Sequence, residues 1–394
     1  MARGSPAGHW APDHVIAARN AVALSFFLNG FAFASLFSRI PSMRDRLDLT
    51  NSGLGLLLLC LSAASVAGLP TSGPLTARFG PVRIVRWGTT AVGIGLFGMA
   101  MALRAGSVPM AAVSLAAYGL GTALWDVAMN VEGADVERML GRTIMPRFHA
   151  AFSLGSVTGA GVGALTVRAA WAPTTHLLVV LVPVMTASYL AAGRFAESAT
   201  GAEPGPSGAA RAWLEPRTLL IGVMVFALAL TEGVANDWPA LALRDGYQAA
   251  EWLAVLGFAL FVASMTTGRM VGPILLDRFG RVSVLWGTMA GAFVGVLLVV
   301  WAGPGPMLVL GIVMWGLGAS LGFPVGMSAA ADDPDAAAAR VSVVSTIGYG
   351  AFLAGPPLLG FLGDHVGILK ALLVVGVLLI PAALVVPSAR PLKQ

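Results

Sequence analysis

The stretch Gly73-Pro74-Leu75-Thr76-Ala77-Arg78-Phe79-Gly80 returns as Pro273-Ile274-Leu275-Leu276-Asp277-Arg278-Phe279-Gly280, with the two Arg-Phe-Gly cores 200 residues apart. Each copy is a short basic link between long apolar runs. Each is followed by Trp-Gly-Thr, at Trp87-Gly88-Thr89 and at Trp286-Gly287-Thr288. A basic turn duplicated in an apolar chain predicts two similar halves embedded in a membrane, and a repeat of this length decides the fold before any single residue does. The echo extends further. His149-Ala150-Ala151-Phe152 with Gly155 matches Tyr349-Gly350-Ala351-Phe352 with Gly355, and Gly119-Leu120-Gly121 answers Gly316-Leu317-Gly318. The repeated unit therefore covers about six helices in each half.

Of 394 residues, 57% are hydrophobic and 11% charged, where a soluble domain carries roughly 25% charged residues. Mean hydropathy is +0.81. Such a chain exceeds what one water-soluble core can bury, so bilayer hydrocarbon is its solvent. A spanning helix takes about 20 mainly apolar residues. That length fits twelve spans, near 17–37, 52–75, 84–103, 109–131, 148–167, 175–193, 218–241, 251–276, 283–301, 307–330, 341–362 and 368–386. The expected fold is an all-α membrane protein with twelve transmembrane helices in two pseudo-symmetric six-helix bundles. The expected division is 1–193, a Pro/Gly/Ser/Ala-rich linker 194–217, and 218–394.

Twelve spans put both termini on one side. Of the 24 Lys and Arg residues, 17 fall on the termini and even-numbered links and 7 on the opposite side. The excess predicts cytoplasmic termini and linker in a multi-pass protein of the cytoplasmic membrane. The exception is the first outer link, where Arg39, Arg44 and Arg46 are partly offset by Asp45 and Asp48. The net charge of +5 thus orients the chain and does not indicate nucleic acid. Cys60 is the single cysteine, so the chain forms no internal disulfide and no thiolate metal cage. The polar stretch 1–14 is followed by an apolar run too long for a signal-peptide core and is read as the approach to the first span. Small residues at four-residue spacing, such as Gly155, Gly159 and Gly163 or Gly318, Gly322 and Gly326, predict close helix packing.

Together, the Gly-x-Leu-x-Asp-Arg-Phe-Gly-type link after spans 2 and 8, the twelve spans and the central linker resemble the major facilitator superfamily over essentially the whole chain. Within it, one stretch resembles the branch of MosC-like and YbjJ-like permeases, distantly related to fucose permease. It comprises Met129-Asn130, Glu137-Arg138, Gly141-Arg142, Met145-Pro146-Arg147-Phe148-His149 and Phe152-Ser153-Leu154-Gly155. The run Gly348-Tyr349, Phe352, Gly355-Pro356-Pro357 and Gly360 is similar to that branch too. The resemblance implies two bundles rocking about a central site lined by spans 1, 4, 7 and 10.

Ionisable groups inside spans are costly and point to function. Asp126 and Asn130 share one face of span 4; Glu232, Asn236 and Asp237 lie on span 7; Asn29-Gly30 in span 1 matches Glu232-Gly233. A carboxylate in a cavity exchanges a proton near neutral pH. Glu232 is the first choice for proton or substrate binding, Asp126 the second. Asp237 lies nearer the outer face, where substrate contact and an outer gate or helix cap are equal readings. Trp125, Trp238 and Trp315 are candidates for stacking on a solute ring, Trp125 and Trp315 being the deeper. The proposed gating group is Gly73, Arg78, Gly80, Asp277, Arg278 and Gly280 of the repeated link, with Arg138, Arg142 and His149. The charges from Glu132 to Arg142 are read as a loop that latches to Asp332, Asp333, Asp335 and Arg340. In the superfamily the Asp of the link holds the cytoplasmic side closed; here the second copy keeps Asp277 while the first has Ala77. No second His or Cys stands at metal-ligand spacing, no phosphate-binding Gly-x-x-x-x-Gly-Lys motif occurs, and no hydrolase motif is present. The expected activity is therefore secondary transport, not enzymatic and without cofactor. A monomer in the lipid bilayer would move a small polar or amphipathic, sugar-like solute with protons. The alternatives are a proton-antiport exporter of drugs or a natural product, and a receptor or scaffold that does not transport.

Overall fold

The repeated link takes the same backbone shape twice. Gly80 has φ 80° and ψ 154°, and Gly280 has φ 75° and ψ 162°. Only glycine adopts this region freely. Just before each glycine an arginine lies over the next ring: Arg78 is 5.1 Å from the Phe79 centroid and Arg278 is 5.2 Å from that of Phe279.

The computed structural model describes residues 12–141, 144–196, 209–333 and 336–392. Among these the chain is helical throughout. The first half holds α1 (Pro12–Phe37), short α2 (Ile40–Arg46), α3 (Asn51–Phe79), α4 (Pro81–Ala105), α5 (Val108–Leu140), α6 (Met145–Arg168) and α7 (Pro173–Ala192). A single turn, α8 (Ala209–Ala212), follows. The second half holds α9 (Pro216–Asp237), short α10 (Pro239–Tyr247), α11 (Glu251–Trp301), α12 (Pro306–Ala319), α13 (Gly322–Ala330), α14 (Ala337–Val366), α15 (Ile368–Ala371) and α16 (Leu373–Val385). Eleven helical stretches are long and apolar enough to cross a membrane. The 51-residue α11 is two such spans meeting at Gly280, which leaves the helical region. With that kink counted, the fold is the expected twelve-span pair of six-helix bundles.

Three boundaries depart from the sequence reading. Span 4 continues as α5 to Leu140, so Glu132, Asp135, Glu137 and Arg138 ride on a helix and not in a loop. Span 7 stops at Asp237, because Pro239 has no N–H to donate back and starts α10 instead. Span 10 is broken at Ser320-Leu321, between α12 and α13. Half of the expected linker, 197–208, lies outside the described residues, as do Arg142 and Asp335.

The halves meet along α3 against α14 and α6 against α11. At the first seam a Cβ on Gly55 would overlap the Pro356 carbonyl, so glycine sets the approach there. The first and last described residues, Pro12 and Leu392, lie toward one face, here the terminal face; α2 and α10 lie on the opposite, far face, and pack against each other.

Candidate functional site

At the far face, charges cross between the halves. Arg44 on α2 donates to Asp245 on α10 at 2.5 Å, and Arg244 on α10 donates to Asp45 on α2 at 2.7 and 3.0 Å. The Arg44-Asp45 and Arg244-Asp245 dyads are 200 residues apart, the offset of the repeated link. Ser42 donates to Glu251 at 2.5 Å, and Asp364 on α14 accepts from the Asn51 and Ser52 amides at 2.9 Å, capping α3 from the other half. Arg168 of α6 sits 5.1 Å from the Trp252 ring at the start of α11.

Arg39, in the same region, is 2% exposed. It donates to His176 Nδ1 and Thr166 Oγ1 at 2.9 Å and to the Trp171 carbonyl at 3.3 Å. Burial pulls its pKa down to about 10 against the opposing pull of Glu251, so it stays charged at neutral pH. The positive charge of this outer link is thus explained: Arg39 and Arg44 are structural pins.

At the terminal face every described ion pair or side-chain hydrogen bond stays within one half. Glu132 accepts from the Ala196 amide at 2.5 Å; Glu137 accepts from the Ile144 and Met145 amides at 2.7 Å; Arg138 pairs with Asp135. In the other half Asp332 joins Arg217 and Arg281 at 2.9 and 2.6 Å, and Arg340 joins Glu215 and Asp333 at 2.6 and 2.9 Å. The Arg340 guanidinium holds the Glu215 carboxyl below its ordinary range. Among the described residues, the expected latch between the 132–142 and 332–340 charges is therefore not formed in this conformation. Asp277 is exposed and makes no ion pair among the described residues; Arg78 and Arg278 are likewise exposed, each lying over its neighbouring ring. Gly73 is packed against nothing within 4 Å of a built Cβ.

Between the faces, polar side chains from both halves converge. Glu232 on α9 accepts from Arg269 Nη2 at 2.7 Å. Arg269 Nε also donates, at 3.3 Å, to the carbonyl of Ser320, where α12 gives way to α13. One guanidinium thus holds a carboxylate and an interrupted helix end together, as a helix terminus requires a partner for its orphan carbonyls. The sequence reading assigned Arg269 to the terminal-side basic links. It belongs inside the membrane, and its place within the expected span 251–276 was the signal. His149, exposed on α6, lies within electrostatic reach of Arg269 and meets Phe26 edge-on with ring centroids 5.2 Å apart.

The other half of the group is centred on Asp126. Asn130 Nδ2 donates to its Oδ1 at 3.3 Å and to its backbone carbonyl at 2.9 Å. Tyr349 of α14 lies within electrostatic reach of Asp126. Half-buried Tyr349 stands 6.0 Å from Phe323 and 6.4 Å from Phe352, ring to ring. His149 and Tyr349, equivalent in the repeat, thus each approach a charged side chain of the opposite half.

The tryptophans take another role. Trp125, Trp238 and Trp315 are fully buried, so none offers a ring to a solute. Trp125 Nε1 donates to Ser25 Oγ at 2.7 Å, pinning α5 to α1, and Trp315 packs edge-on to Phe261 at 5.5 Å. Their bulk fills helix seams; the ring that comes near the acid is Tyr349, flanked by Phe323 and Phe352, and the sequence reading did not single it out for that role. Asn29 is buried, with Nδ2 unpartnered. Asn236 and Asp237 are half-buried at the end of α9, with no side-chain partner among the described residues.

Sequence and fold comparisons agree with this architecture. The model of the Major Facilitator Superfamily matches residues 22–305. An uncharacterized MFS-type transporter of Yersinia pestis is 30% identical over 375 residues, covering 94% of each chain. The membrane protein MosC of Rhizobium meliloti is 26% identical over 364 residues, covering 90% of this chain and 85% of its own. The crystal structure of the nucleoside transporter NupG superposes with a TM-score of 0.77 at 14% identity, over 97% of this chain and 100% of that one.

Proposed function

The chain belongs to the major facilitator superfamily of membrane transporters, and on that premise we propose that it carries a small polar or amphipathic, sugar-like solute across the cytoplasmic membrane, coupled to protons, by alternating access. The far face is then the outside and the terminal face the cytoplasm, in keeping with the Lys and Arg excess there, which persists when Arg269 is moved into the membrane. The protein works as a monomer, with 1–193 and 218–394 rocking against each other.

One observation carries the coupling: the Glu232–Arg269 pair inside the membrane, tied to the break at Ser320. Protonating Glu232 removes the charge that holds Arg269 in place. The guanidinium then swings or keeps only the Ser320 carbonyl, and the α12–α13 joint is released. A broken helix at the midplane is where transporters place such sites. His149, exposed toward the same pair, is a route for the proton.

The test is purified protein in proteoliposomes with an internal pH dye and a solute panel of sugars, inositols and amines. A transported solute moves protons with it. Glu232→Gln is expected to cut solute-driven proton movement at least about tenfold while solute exchange persists, because only the carboxylate that would carry the proton is lost. Unchanged proton movement in both Glu232→Gln and Asp126→Asn would remove the coupling scheme. Solute driven outward by an inward proton gradient would assign the exporter alternative.

A further inference from the structure

Among the described residues, the pattern of ion pairs and hydrogen bonds leaves two carboxylates within the expected spans, Asp126 and Asp237, without an arginine, hydroxyl or backbone-amide partner. Glu232, Asp45, Asp245, Asp135, Asp332, Asp333 and Glu215 all have an arginine partner. Glu132, Glu137 and Asp364 accept from backbone amides, and Glu251 from Ser42. Asp126, deep in α5, has one amide donor, Asn130, at 3.3 Å, and no cation among the described residues. A carboxylate taken out of bulk water without a counter-charge is costly, so the site is completed by a proton or by a cation that arrives with the solute.

The surroundings decide between these. A site for a proton alone needs no aromatic surface. Here Tyr349 comes within electrostatic reach of the acid and is flanked by Phe323 and Phe352 at 6.0 and 6.4 Å. All three residues are half-buried. The negative faces of aromatic rings attract ammonium groups, and do so more strongly when the pair is desolvated. The offset that aligns Gly119 with Gly316 also sets Asp126 opposite Phe323 in the repeat. The two halves have thus diverged at one equivalent position into an acid and a ring. Asp237 is likewise without a cation, but its neighbour Trp238 is fully buried and offers no face.

We propose that Asp126, held by Asn130 and approached by Tyr349, whose ring Phe323 and Phe352 flank, is a subsite for a protonated amine, and that the solute is a cationic organic amine. This rests on the transporter reading, since it places the amine in the transport path. It assigns the two interior acids different work. Glu232, already neutralised by Arg269, is left to the proton, and Asp126 is left to the charge of the solute.

The experiment is ligand-induced thermal shift and titration on the purified full chain, using matched pairs that differ in the amine: glucosamine against glucose, tyramine against 4-ethylphenol, choline against 3,3-dimethylbutanol. The amine of at least one pair is expected to bind about tenfold or more tighter than its neutral partner, the range of a charge-assisted bond. Asp126→Asn should erase that preference, Asp126→Glu should retain it, and Tyr349→Leu should weaken it several-fold. An unchanged unliganded melting point shows that each variant is folded. Amines that fail to outbind their neutral partners in every pair, whether by equal binding or by no binding, overturn the proposal. So does a preference that survives Asp126→Asn in folded protein. The two readings fail separately: a neutral solute that drives proton movement in liposomes would refute the amine subsite and leave transport standing, whereas amine binding with no solute movement in liposomes would leave the subsite standing and refute transport.

Discussion

The two faces of this molecule use the same residue types to opposite ends. At the far face Arg44, Asp45, Arg244 and Asp245 pair across the halves, with Ser42–Glu251 and the Asp364 cap beside them. At the terminal face Glu215, Arg217, Arg281, Asp332, Asp333 and Arg340 pair inside one half, and Glu132, Asp135, Glu137 and Arg138 inside the other. A charge that reaches across seals; one that reaches back braces. The difference identifies this conformation as closed at the far face, with no charged bond between halves at the other among the described residues. Duplication made the seal economical. Two copies of one Arg-Asp dyad, related by a pseudo-two-fold, are automatically complementary, as in an isologous dimer contact.

The strongest way to break the comparison is to weld one face. With Cys60→Ala, the pair Ser42→Cys and Glu251→Cys, bridged by a short thiol cross-linker, should reduce transport to background and recover on reduction. A bridge between Glu215→Cys and Arg340→Cys, within one half, should leave most of it. Equal inhibition by both bridges would erase the distinction between seal and brace.

A smaller effect is expected from charge reversal. The Arg44–Asp245 pair has side chains 18% and 29% exposed, whereas Asp45 is 55% exposed. The first arm should therefore matter more, since exposed pairs contribute little. Arg44→Asp should shift the conformational balance by about 1–2 kcal/mol, roughly a five- to thirtyfold change in population. Spin labels at Arg46→Cys and Gln248→Cys should then move apart while labels at Arg138→Cys and Asp277→Cys move together. Adding Asp245→Arg should restore the starting distances. If Arg244→Asp has the larger effect, the exposure argument is wrong.

The smallest effect in this state belongs to the repeated link. Asp277 is exposed and unpaired here, so Asp277→Asn should change melting stability by no more than about 0.5 kcal/mol. The latch expected from the sequence would form only with the terminal face closed, so Asp277→Asn should still impair transport more than Ala77→Asp does. The reverse order of the two variants would show that the first copy, and not the second, carries the latch.

Much of this was legible beforehand. The repeat, the twelve spans, the kinked glycines and the interior positions of Asp126, Glu232 and Asn130 follow from spacing and apolarity. The dyads at 44–45 and 244–245 were legible too, by the same 200-residue offset, although only their contact reveals their use. Arg269 was hidden because a lone arginine seven residues from the end of an expected span reads as a link charge until Glu232 is found against it. The tryptophans were misjudged because depth along a helix says nothing about which side of the helix a ring occupies.

By itself, then, the sequence determined the solvent, the number of spans, the duplication and the shape of the two turns. Each of these depends on local composition or on one residue's backbone freedom. Only the tertiary structure decided which charges are partners, which face is sealed, and which acids are left without a cation among the described residues. Those depend on side chains from helices far apart in the chain, and Coulomb energy falls with distance in space, not along the sequence.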